Sequence, residues 1–308
     1  MKLSIIIPCY NESLSVNLFF DETKNHIESI RQSTEFIFVN DGSKDDTLEQ
    51  LKKLKDNQSD YYISILDFSR NFGKEAGILA GLENANGDYV VIMDADLQDP
   101  PFLLPKMLEE LEKGDYDSVA TYRVDRKGEP PIRSFFARKF YQIINKISDV
   151  NIVDGARDYR MMSRPMVDSI LKVKEYHRFS KGIFAWVGYK TKYMEFENVE
   201  RIAGETKWSF FKLLMYAIEG IVAFTTIPLR ISIVLGMLFS TVAFLYMIFV
   251  FIKALLFGDP VAGYPSMMVV ILLLGGIQLL SLGILGEYLA KTYMEVKHRP
   301  NYIIKQKI

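Results

Sequence analysis

The sequence predicts an open, mostly parallel α/β sheet followed by two membrane-spanning helices. Short apolar runs alternate with polar, helix-favouring segments in the first half of the chain, which is the pattern of βαβ units. Two nearly uncharged stretches, Ile231 to Ile252 and Ser266 to Leu285, lie in the last third. Each has about 20 residues, enough to cross a hydrocarbon core of about 30 Å. Acidic and amide residues follow the first, second and fourth predicted strands.

Five strands and four intervening helices are predicted in order along the first half. Right-handed βαβ connections would make the sheet mostly parallel, and ligands of such sheets collect at the carboxyl ends of the strands. The predicted strands are Leu3 to Ile7, Glu35 to Val39, Tyr62 to Phe68, Tyr89 to Met93 and Asp117 to Thr121. The predicted helices are Ser13 to Arg31, Asp45 to Asn57, Lys74 to Asn84 and Pro101 to Lys113.

Composition excludes several classes of protein. The chain has 308 residues, a net charge of −1 and 24% charged residues, which does not fit a strongly basic nucleic-acid binder. The single cysteine, Cys9, rules out a disulfide framework and a cysteine-based zinc site. It is expected to be a small core residue. The first apolar run is too short for a signal peptide and is better explained as a buried strand. The histidines His26, His177 and His298 show no ligand spacing.

The segment Asp94-Ala95-Asp96 follows a buried apolar run. Residues two apart on a strand project to the same side, so both carboxylates can converge on one divalent cation. Oxygen ligands favour Mg²⁺ or Mn²⁺, and Gln98 can supply a further oxygen. Such a metal would neutralise a diphosphate leaving group.

Asp41 ends the second predicted strand and precedes Gly42-Ser43. One interpretation is an Asp-Gly turn leading into an N-capped helix, which needs no ligand. The other is a nucleotide pocket shared with Asn11-Glu12 and with Asp94 at the same sheet edge.

Beyond the predicted sheet, the chain becomes basic from Arg123 to Arg138, which predicts a mobile loop over the site. Trp208 to Phe224 is apolar but interrupted by Lys212 and Glu219, and suggests interfacial helices. An amphipathic core helix is the alternative for that segment. A buried helical hairpin of a soluble protein is the alternative for the two long apolar stretches.

Cations flank the apolar stretches and are sparse in the loop between them, which contains Asp259 with Lys253 at its edge. By the positive-inside rule, both termini and the predicted α/β domain are expected on the cytoplasmic side. Small residues in the second stretch would permit close contact between helices, so a second copy of the chain is considered as a partner in a homo-oligomer. These residues are Gly275, Gly276, Gly283 and Gly286. The flanking cations are Arg230, Lys291, Lys297, His298, Arg299, Lys305 and Lys307.

Five sequence blocks, in order, resemble the family 2 glycosyltransferases and, over the whole chain, their polyprenyl-phosphate glycosyltransferase group. That group includes bactoprenol glucosyltransferases and dolichol-phosphate mannose synthase. The resemblance implies a nucleotide-sugar-binding (GT-A) type of α/β fold. The blocks are Ile7 to Glu12, Val39 to Ser43, Ser69 to Glu75, Met93 to Pro101 and Arg201 to Trp208.

The resemblance also implies roles for individual residues. Asp96 and Gln98 would hold the metal together with Asp94, and Arg123, Arg201 and Lys207 would contact the diphosphate or the donor sugar. Two or three cations beside a metal suit a pyrophosphate leaving group. The nucleotide pocket would be lined by Pro8, Tyr10, Glu12, Val39, Asp41, Asp94 and Ala95.

The segment Asp154 to Arg160 resembles the family block whose aspartate is usually assigned as the catalytic base. The aligned residue is Asp158, with Asp154 as the fallback because Arg157 stands where glycine is common. A phosphate acceptor with a second pKa near 6 is already largely ionised at neutral pH, so it does not need a base. Asp158 is therefore either a base or a residue that orients the acceptor or holds Arg160. Arg126, Arg133 and Arg138, with Lys127 and Lys139, would bind the lipid phosphate, unless they form an ordinary solvated loop.

The expected reaction is inverting transfer of a sugar from a nucleoside diphosphate, with UDP-glucose or UDP-N-acetylglucosamine favoured by the resemblance, to undecaprenyl phosphate. The product would be a lipid-linked monosaccharide for cell-envelope glycosylation. A processive polysaccharide synthase would carry a Gln-x-x-Arg-Trp block and more spans, which this sequence lacks. A non-catalytic membrane protein that binds nucleotide sugar or a partner is the alternative from a different class. The predicted parts are a cytoplasmic catalytic domain (1–206), interfacial helices (207–228), a two-helix anchor (229–290) and a basic cytoplasmic tail (291–308).

Overall fold

The computed structural model describes residues 2–123, 145, 153, 155–196, 225, 227–257 and 263–308. The chain forms two units, Met1–Gly220 with Arg299–Ile308, and Ile221–His298. Most of the predicted basic loop and nearly all of the predicted interfacial segment lie outside the described residues.

All five predicted strands and all four predicted helices form in the first half of the chain. The bounds of β3 and α3 are those predicted, and the other elements differ mainly at their ends. The predicted helix Ser13 to Arg31 is divided, because α1 is followed by a 3₁₀ helix over Glu28–Ser33. The predicted helix Pro101 to Lys113 begins with a 3₁₀ turn over Pro101–Leu103, which precedes α4. The elements are β1 (Leu3–Cys9), α1 (Val16–Ile27), β2 (Thr34–Asn40), α2 (Thr47–Asn57), β3 (Tyr62–Phe68), α3 (Lys74–Asn84), β4 (Tyr89–Ile92), α4 (Leu104–Glu112) and β5 (Ser118–Arg123).

The second half of the first unit adds elements for which the sequence pattern gave no prediction. The strand β6 carries two arginines and an aspartate, so it lacks the apolar run by which the earlier strands were recognised. The added elements are β6 (Ala156–Ser163), α5 (Arg164–Lys172), α6 (Ser180–Trp186), β7 (Thr191–Phe196) and, at the end of the chain, β8 (Ile304–Lys307).

The eight strands form one sheet in the order β7-β5-β6-β4-β1-β2-β3-β8. Parallel pairing joins β1 to β2, β1 to β4, β2 to β3 and β5 to β7, so the predicted parallel character holds for most of the sheet. Antiparallel pairing joins β6 to both β4 and β5, and β8 to β3. The carboxyl ends of β1, β2 and β4 therefore meet at one edge.

The core lies on both faces of the central strands. The strand β2 is buried along its whole length, as expected of a strand covered on both sides. The helix α3 packs so closely on β1 that a Cβ atom on Gly81 would lie 2.1 Å from Ile6 Cγ2. Cys9 is buried and free, as predicted, and belongs to this core.

The second unit contains α7 (Ile227–Phe257) and α8 (Tyr264–Val296). Both are long and apolar enough to cross a membrane, with spans of Ile227–Tyr246 and Leu273–Val296, neither of them buried within the protein. The last residues differ from the predicted separate tail. The helix α8 continues to Val296, and residues 304–307 return to the eight-stranded sheet as β8.

Candidate active site

The strand register brings the predicted acidic residues to one sheet edge. Asp41 follows β2 and Asp94 follows β4, and both strands are parallel neighbours of β1. The strand β6 runs antiparallel to β4 with Arg160 opposite Ile92. Asp158, two residues before Arg160, therefore lies beyond the carboxyl end of β4 beside Asp94. The pattern of single strands could not reveal this meeting, because it depends on the pairing of β6.

The loop after β1 is tied to the loop after β2 by neutral hydrogen bonds. Asn11 has a left-handed backbone with φ of 56°, which this residue type tolerates. Its N–H donates to Ser43 Oγ at 3.0 Å, and the Lys44 N–H donates to Asn11 Oδ1 at 2.8 Å. The Glu12 N–H donates to Thr47 Oγ1 at 2.8 Å. These bonds fix the wall of the predicted nucleotide pocket.

The Asp41 carboxylate holds the loop after β3. It is 3% exposed and accepts hydrogen bonds from the Phe72 N–H at 2.6 Å and the Gly73 N–H at 2.9 Å. Burial raises the pKa of Asp41, and the two N–H donors partly oppose that rise. The two loops touch at Gly42, whose φ is +62° and where a Cβ atom would lie 2.4 Å from the Arg70 backbone carbon.

The turn after β2 also contains the local contacts expected from the ligand-free interpretation. The Asp45 carboxylate accepts a hydrogen bond from the Thr47 N–H at 3.1 Å and one from the Ser13 N–H at 3.3 Å. Hydrogen bonds from Thr47 and Ser13 outweigh the effect of burial and lower the pKa of Asp45. Asp45 therefore makes the local contacts at the start of α2, whose N-cap residue is Asp46 without a side-chain cap, while Asp41 connects the loops after β2 and β3.

The acidic loop after β4 is folded back on itself. Leu97 adopts a left-handed backbone with φ of 57°, and the Gln98 N–H donates to Asp96 Oδ1 at 3.1 Å. Asp99 is 1% exposed, accepts the Asp94 N–H at 3.0 Å and pairs with Arg157 Nε at 3.0 Å. Burial, only partly opposed by Arg157, raises the pKa of Asp99 to about 6.

Lys74 joins the carboxylates of Asp94 and Asp158. Its Nζ lies 2.7 Å from Asp94 Oδ1 and 2.8 Å from Asp158 Oδ2. Burial acts against the ammonium charge, but Asp158 and Asp94 outweigh it and raise the pKa of Lys74 well above its usual value. Lys74 is the first residue of α3 and lies inside the matched block Ser69 to Glu75, yet it was given no role from the sequence.

Asp158 is surrounded by cations. Burial would raise its pKa, but Lys74, Lys181 and Arg157 outweigh that effect and hold the pKa well below the usual aspartate range. The ion-pair partner of Asp158 is Lys74, whereas the Arg160 guanidinium lies over the Phe184 ring, 4.3 Å from its centroid. A carboxylate with so low a pKa is a weak proton acceptor, which favours an orienting role over that of a base.

The residues present fit a divalent metal shared with a substrate. No group of three or more His, Cys, Asp or Glu side chains suited to a metal occurs among the described residues. Mg²⁺ in phosphate-transfer sites is commonly bound by one or two carboxylates together with substrate phosphates and water. The oxygen set of Asp94, Asp96 and Gln98 on one loop has this composition.

Some of the other predicted site residues lie in the part of the chain that the structure describes, and the rest lie outside it. Pro8 and Val39 lie in β1 and β2, and Ala95 is buried in the acidic loop, while Tyr10, just beyond β1, is 38% exposed. Arg123 ends β5. The predicted residues Arg126, Lys127, Arg133, Arg138, Lys139, Asp154, Arg201 and Lys207 lie outside the described residues.

Residues 4–171 match the family described as "Glycosyl transferase family 2". The match spans more than half of the chain and includes every strand end discussed above. The chain belongs to this family and is a glycosyltransferase with a GT-A-like α/β fold.

Residues 227–292 match a second family, described as "GtrB C-terminal hairpin", which covers α7 and most of α8. The prophage bactoprenol glucosyl transferase homolog of Escherichia coli (strain K12) is 42% identical over 306 residues, covering 99% of each chain. The bactoprenol glucosyl transferase of Shigella phage SfV is 42% identical over 305 residues, covering 99% of this chain and 98% of that protein. CsbB of Bacillus subtilis (strain 168), named only as a glycosyltransferase, is 45% identical over 304 residues, covering 99% and 91%.

Proposed function

We propose that this protein transfers a sugar from a nucleoside diphosphate sugar to a polyprenyl phosphate at the membrane. The main support for this proposal is the similarity, over 99% of this chain including the hairpin, to proteins named bactoprenol glucosyl transferases. Glucose is the sugar in those names, so UDP-glucose is the first donor to test, with UDP-N-acetylglucosamine second. The product would be a lipid-linked monosaccharide for cell-envelope glycosylation.

The donor would bind across the carboxyl ends of β1, β2 and β4. Tyr10, Asp41 and the backbone near Pro8 and Val39 would contact the nucleoside, in a pocket whose loops are fixed by the bonds of Asn11 and Asp41. Arg123, Arg201 and Lys207 are proposed for the diphosphate, where positive charge stabilises the developing negative charge.

Asp96, Asp94 and Gln98 are proposed to hold Mg²⁺ or Mn²⁺ together with the donor diphosphate. When bound, the metal would neutralise negative charge on the leaving diphosphate. Asp99 and Arg157 would hold this loop in place, because their ion pair is buried and Asp99 also accepts a hydrogen bond from the Asp94 N–H.

The acceptor phosphate would approach beside Asp158. One of its oxygens forms the new bond to the anomeric carbon while the bond from that carbon to the diphosphate oxygen breaks, with inversion. The phosphate is already largely ionised at neutral pH and needs no proton acceptor. We therefore assign Asp158 an orienting role, with Lys74 keeping it ionised and offering an ammonium to the incoming anion. Arg126, Arg133 and Arg138 are proposed to guide the lipid phosphate to this point.

The hairpin is proposed to cross the membrane twice with both ends on the cytoplasmic side. The cations that flank the hairpin favour this orientation. The chain leaves the catalytic unit before α7 and returns to it as β8, which supports a hairpin whose two ends lie on the same side.

The test is product formation by the purified full-length protein with undecaprenyl phosphate and a panel of UDP-glucose, UDP-N-acetylglucosamine and GDP-mannose. A lipid-linked monosaccharide formed from one donor, dependent on Mg²⁺ or Mn²⁺, is expected. Nucleotide-sugar binding without product from any donor would instead favour the non-catalytic binding protein.

A further inference from the structure

The chain end that follows the membrane hairpin packs against the nucleotide side of the sheet. The strand β8 pairs with β3, with Lys307 opposite Leu66 and Gln306 opposite Asp67. The Ser69 N–H donates to the Ile303 carbonyl at 3.0 Å, which extends the pairing to the start of the loop after β3. The C-terminal tail, defined here as residues 299–308, thus covers the edge of the sheet nearest the predicted nucleotide pocket.

An aromatic route leads from this tail to Asp41. The Tyr302 ring stacks on Phe68, with centroids 5.0 Å apart and planes 13° from parallel. Phe68 in turn meets Phe72 edge to face, with centroids 5.8 Å apart. The Phe72 N–H is one of the two backbone donors bound by the Asp41 carboxylate. Two rings, those of Phe68 and Phe72, therefore lie between Tyr302 of the tail and the Asp41 carboxylate.

A polar route reaches the same place independently. Gln306 Nε2 donates to Asp67 Oδ2 at 3.3 Å, and Asn40 Nδ2 donates to Asp67 Oδ1 at 2.7 Å. Asp67 is 3% exposed, so its carboxylate depends on these donors. Asn40 directly precedes Asp41. The tail thus contributes a hydrogen bond to the network at the end of β2.

The loop after β3 has open space beside it. A cavity of about 380 Å³ is lined by Arg70, Phe72, Glu75, Arg178 and the tail residue Asn301, among others. Packing does not fill this side of the loop, so its position depends on Asp41 and on the Phe68 ring behind Phe72. The tail is itself held by the Tyr302 hydroxyl on Glu83 and by Asn301 Nδ2, which donates to the Glu175 carbonyl at 3.1 Å.

We propose that Tyr302 and Gln306 are positioning residues for donor binding, through which the segment leaving the membrane hairpin completes the nucleotide pocket. Tyr302 acts through Phe68 and Phe72, and Gln306 acts through Asp67 and Asn40. Both routes end at Asp41 and the loop it holds. The inference rests on the proposed donor site at Asp41 and adds a dependence of that site on the C-terminal tail.

The experiment compares variants of the full-length protein in lipid nanodiscs, with UDP as the binding probe in the presence of Mn²⁺. Tyr302→Ala should raise the Kd for UDP about fivefold to tenfold, and Gln306→Ala about threefold, since each removes one supporting contact. Tyr302→Phe keeps the ring stack and should stay within about twofold of the wild type. Lys305→Ala, an exposed position on the same strand, is the matched control and should leave the Kd unchanged.

Two further readouts separate positioning from general loss of structure. With UDP-glucose and undecaprenyl phosphate, Tyr302→Ala should raise the KM for the donor and leave the acceptor KM unchanged. Amide hydrogen exchange should accelerate in residues 69–76 and stay at the wild-type rate in β1. The proposal would be overturned if the donor KM and the acceptor KM rose equally and exchange became faster throughout the sheet.

Asp41→Ala distinguishes this inference from the proposed function. If that variant binds UDP as tightly as the wild type, both the donor site and the role of the tail are wrong. If Asp41→Ala weakens UDP binding while Tyr302→Ala and Gln306→Ala behave like Lys305→Ala, the donor site stands and the inference about the tail is overturned.

Discussion

The two halves of the candidate site hold their carboxylates in different ways. On the side proposed for the nucleotide, Asp41 and Asp45 accept hydrogen bonds from backbone N–H groups and hydroxyls. On the side proposed for sugar transfer, Asp94, Asp99 and Asp158 are paired with Lys74 and Arg157.

We propose that this difference separates donor binding from sugar transfer. Neutral donors fixed in the backbone keep loops in one place, which suits a pocket that must be formed before the donor arrives. Side-chain cations can shift their contacts when a metal, a diphosphate or a phosphate enters, because a charged ligand competes for the same charge. We therefore expect changes on the transfer side to reduce turnover and changes on the nucleotide side to reduce donor affinity.

The largest effect is expected for Asp96→Ala. Removal of a proposed metal ligand should reduce kcat/KM by on the order of a thousandfold or more, since the leaving diphosphate loses its counter-charge. Turnover with added Mg²⁺ or Mn²⁺ measures this, and circular dichroism checks the fold. Asp56→Ala, an exposed position on α2, is the control. Near wild-type activity of Asp96→Ala would show that the metal is bound elsewhere.

Lys74 provides the next test, because it joins the two transfer-side carboxylates. Lys74→Met should lower kcat by about a hundredfold, with a smaller change in the Kd for UDP. Lys74→Arg should recover part of the loss, since a cation remains.

Combination with Asp158→Asn tests whether the two residues act as a unit. The double variant should lose much less than the sum of the two single losses, because residues in one ion pair are not additive. Strict additivity in the free energies of activation would mean that the Lys74–Asp158 contact is not used in catalysis.

A change on the nucleotide side should have a smaller effect of a different kind. Asp41→Ala leaves the Phe72 and Gly73 N–H groups without their acceptor, so the KM for the donor should rise about tenfold. The acceptor KM should not change. Steady-state kinetics with each substrate varied in turn measures both values. A rise in acceptor KM at constant donor KM would invert the assignment of the two halves.

The smallest effect concerns Glu75, which adjoins Lys74 but is hydrogen-bonded to neutral donors, the N–H and hydroxyl of Ser180. Burial, with the nearby Asp158 charge, raises the pKa of Glu75 to about 7. An acid whose pKa is higher in the folded protein stabilises the fold fully below its unfolded value, near 4.5, and that contribution is lost as pH rises towards 7.

Glu75→Gln should remove this pH dependence. The melting temperature of the wild type should fall by several degrees relative to the variant between pH 4.5 and pH 8, for a contribution of about 3 kcal/mol. Thermal unfolding of both proteins across that range measures the difference. If the melting temperatures of the two proteins differ by the same amount at every pH, folding does not raise the pKa of Glu75.

Local pattern was sufficient for much of the fold. The strand Tyr62 to Phe68 and the helix Lys74 to Asn84 were predicted with the bounds that the structure shows. The apolar run of a buried strand and the periodicity of a helix can both be recognised from residues that are consecutive in the chain. The strand β6 was missed, since the charges of Arg157, Asp158 and Arg160 obscure its apolar face. The strand β8 was missed because a short polar strand has no signal of its own and exists through pairing with β3.

The sequence by itself determined the class of fold, the apolar hairpin and the acidic pair Asp94 and Asp96, because each depends on residues close together in the chain. Only the tertiary structure decided which charges meet. The contact of Lys74 with Asp158 joins α3 to β6, and the contact of Tyr302 with Phe68 joins the chain end to β3. Periodicity describes which face of an element is buried, whereas contacts between distant elements depend on strand order and register, which hydrogen bonding and packing across the whole sheet establish together.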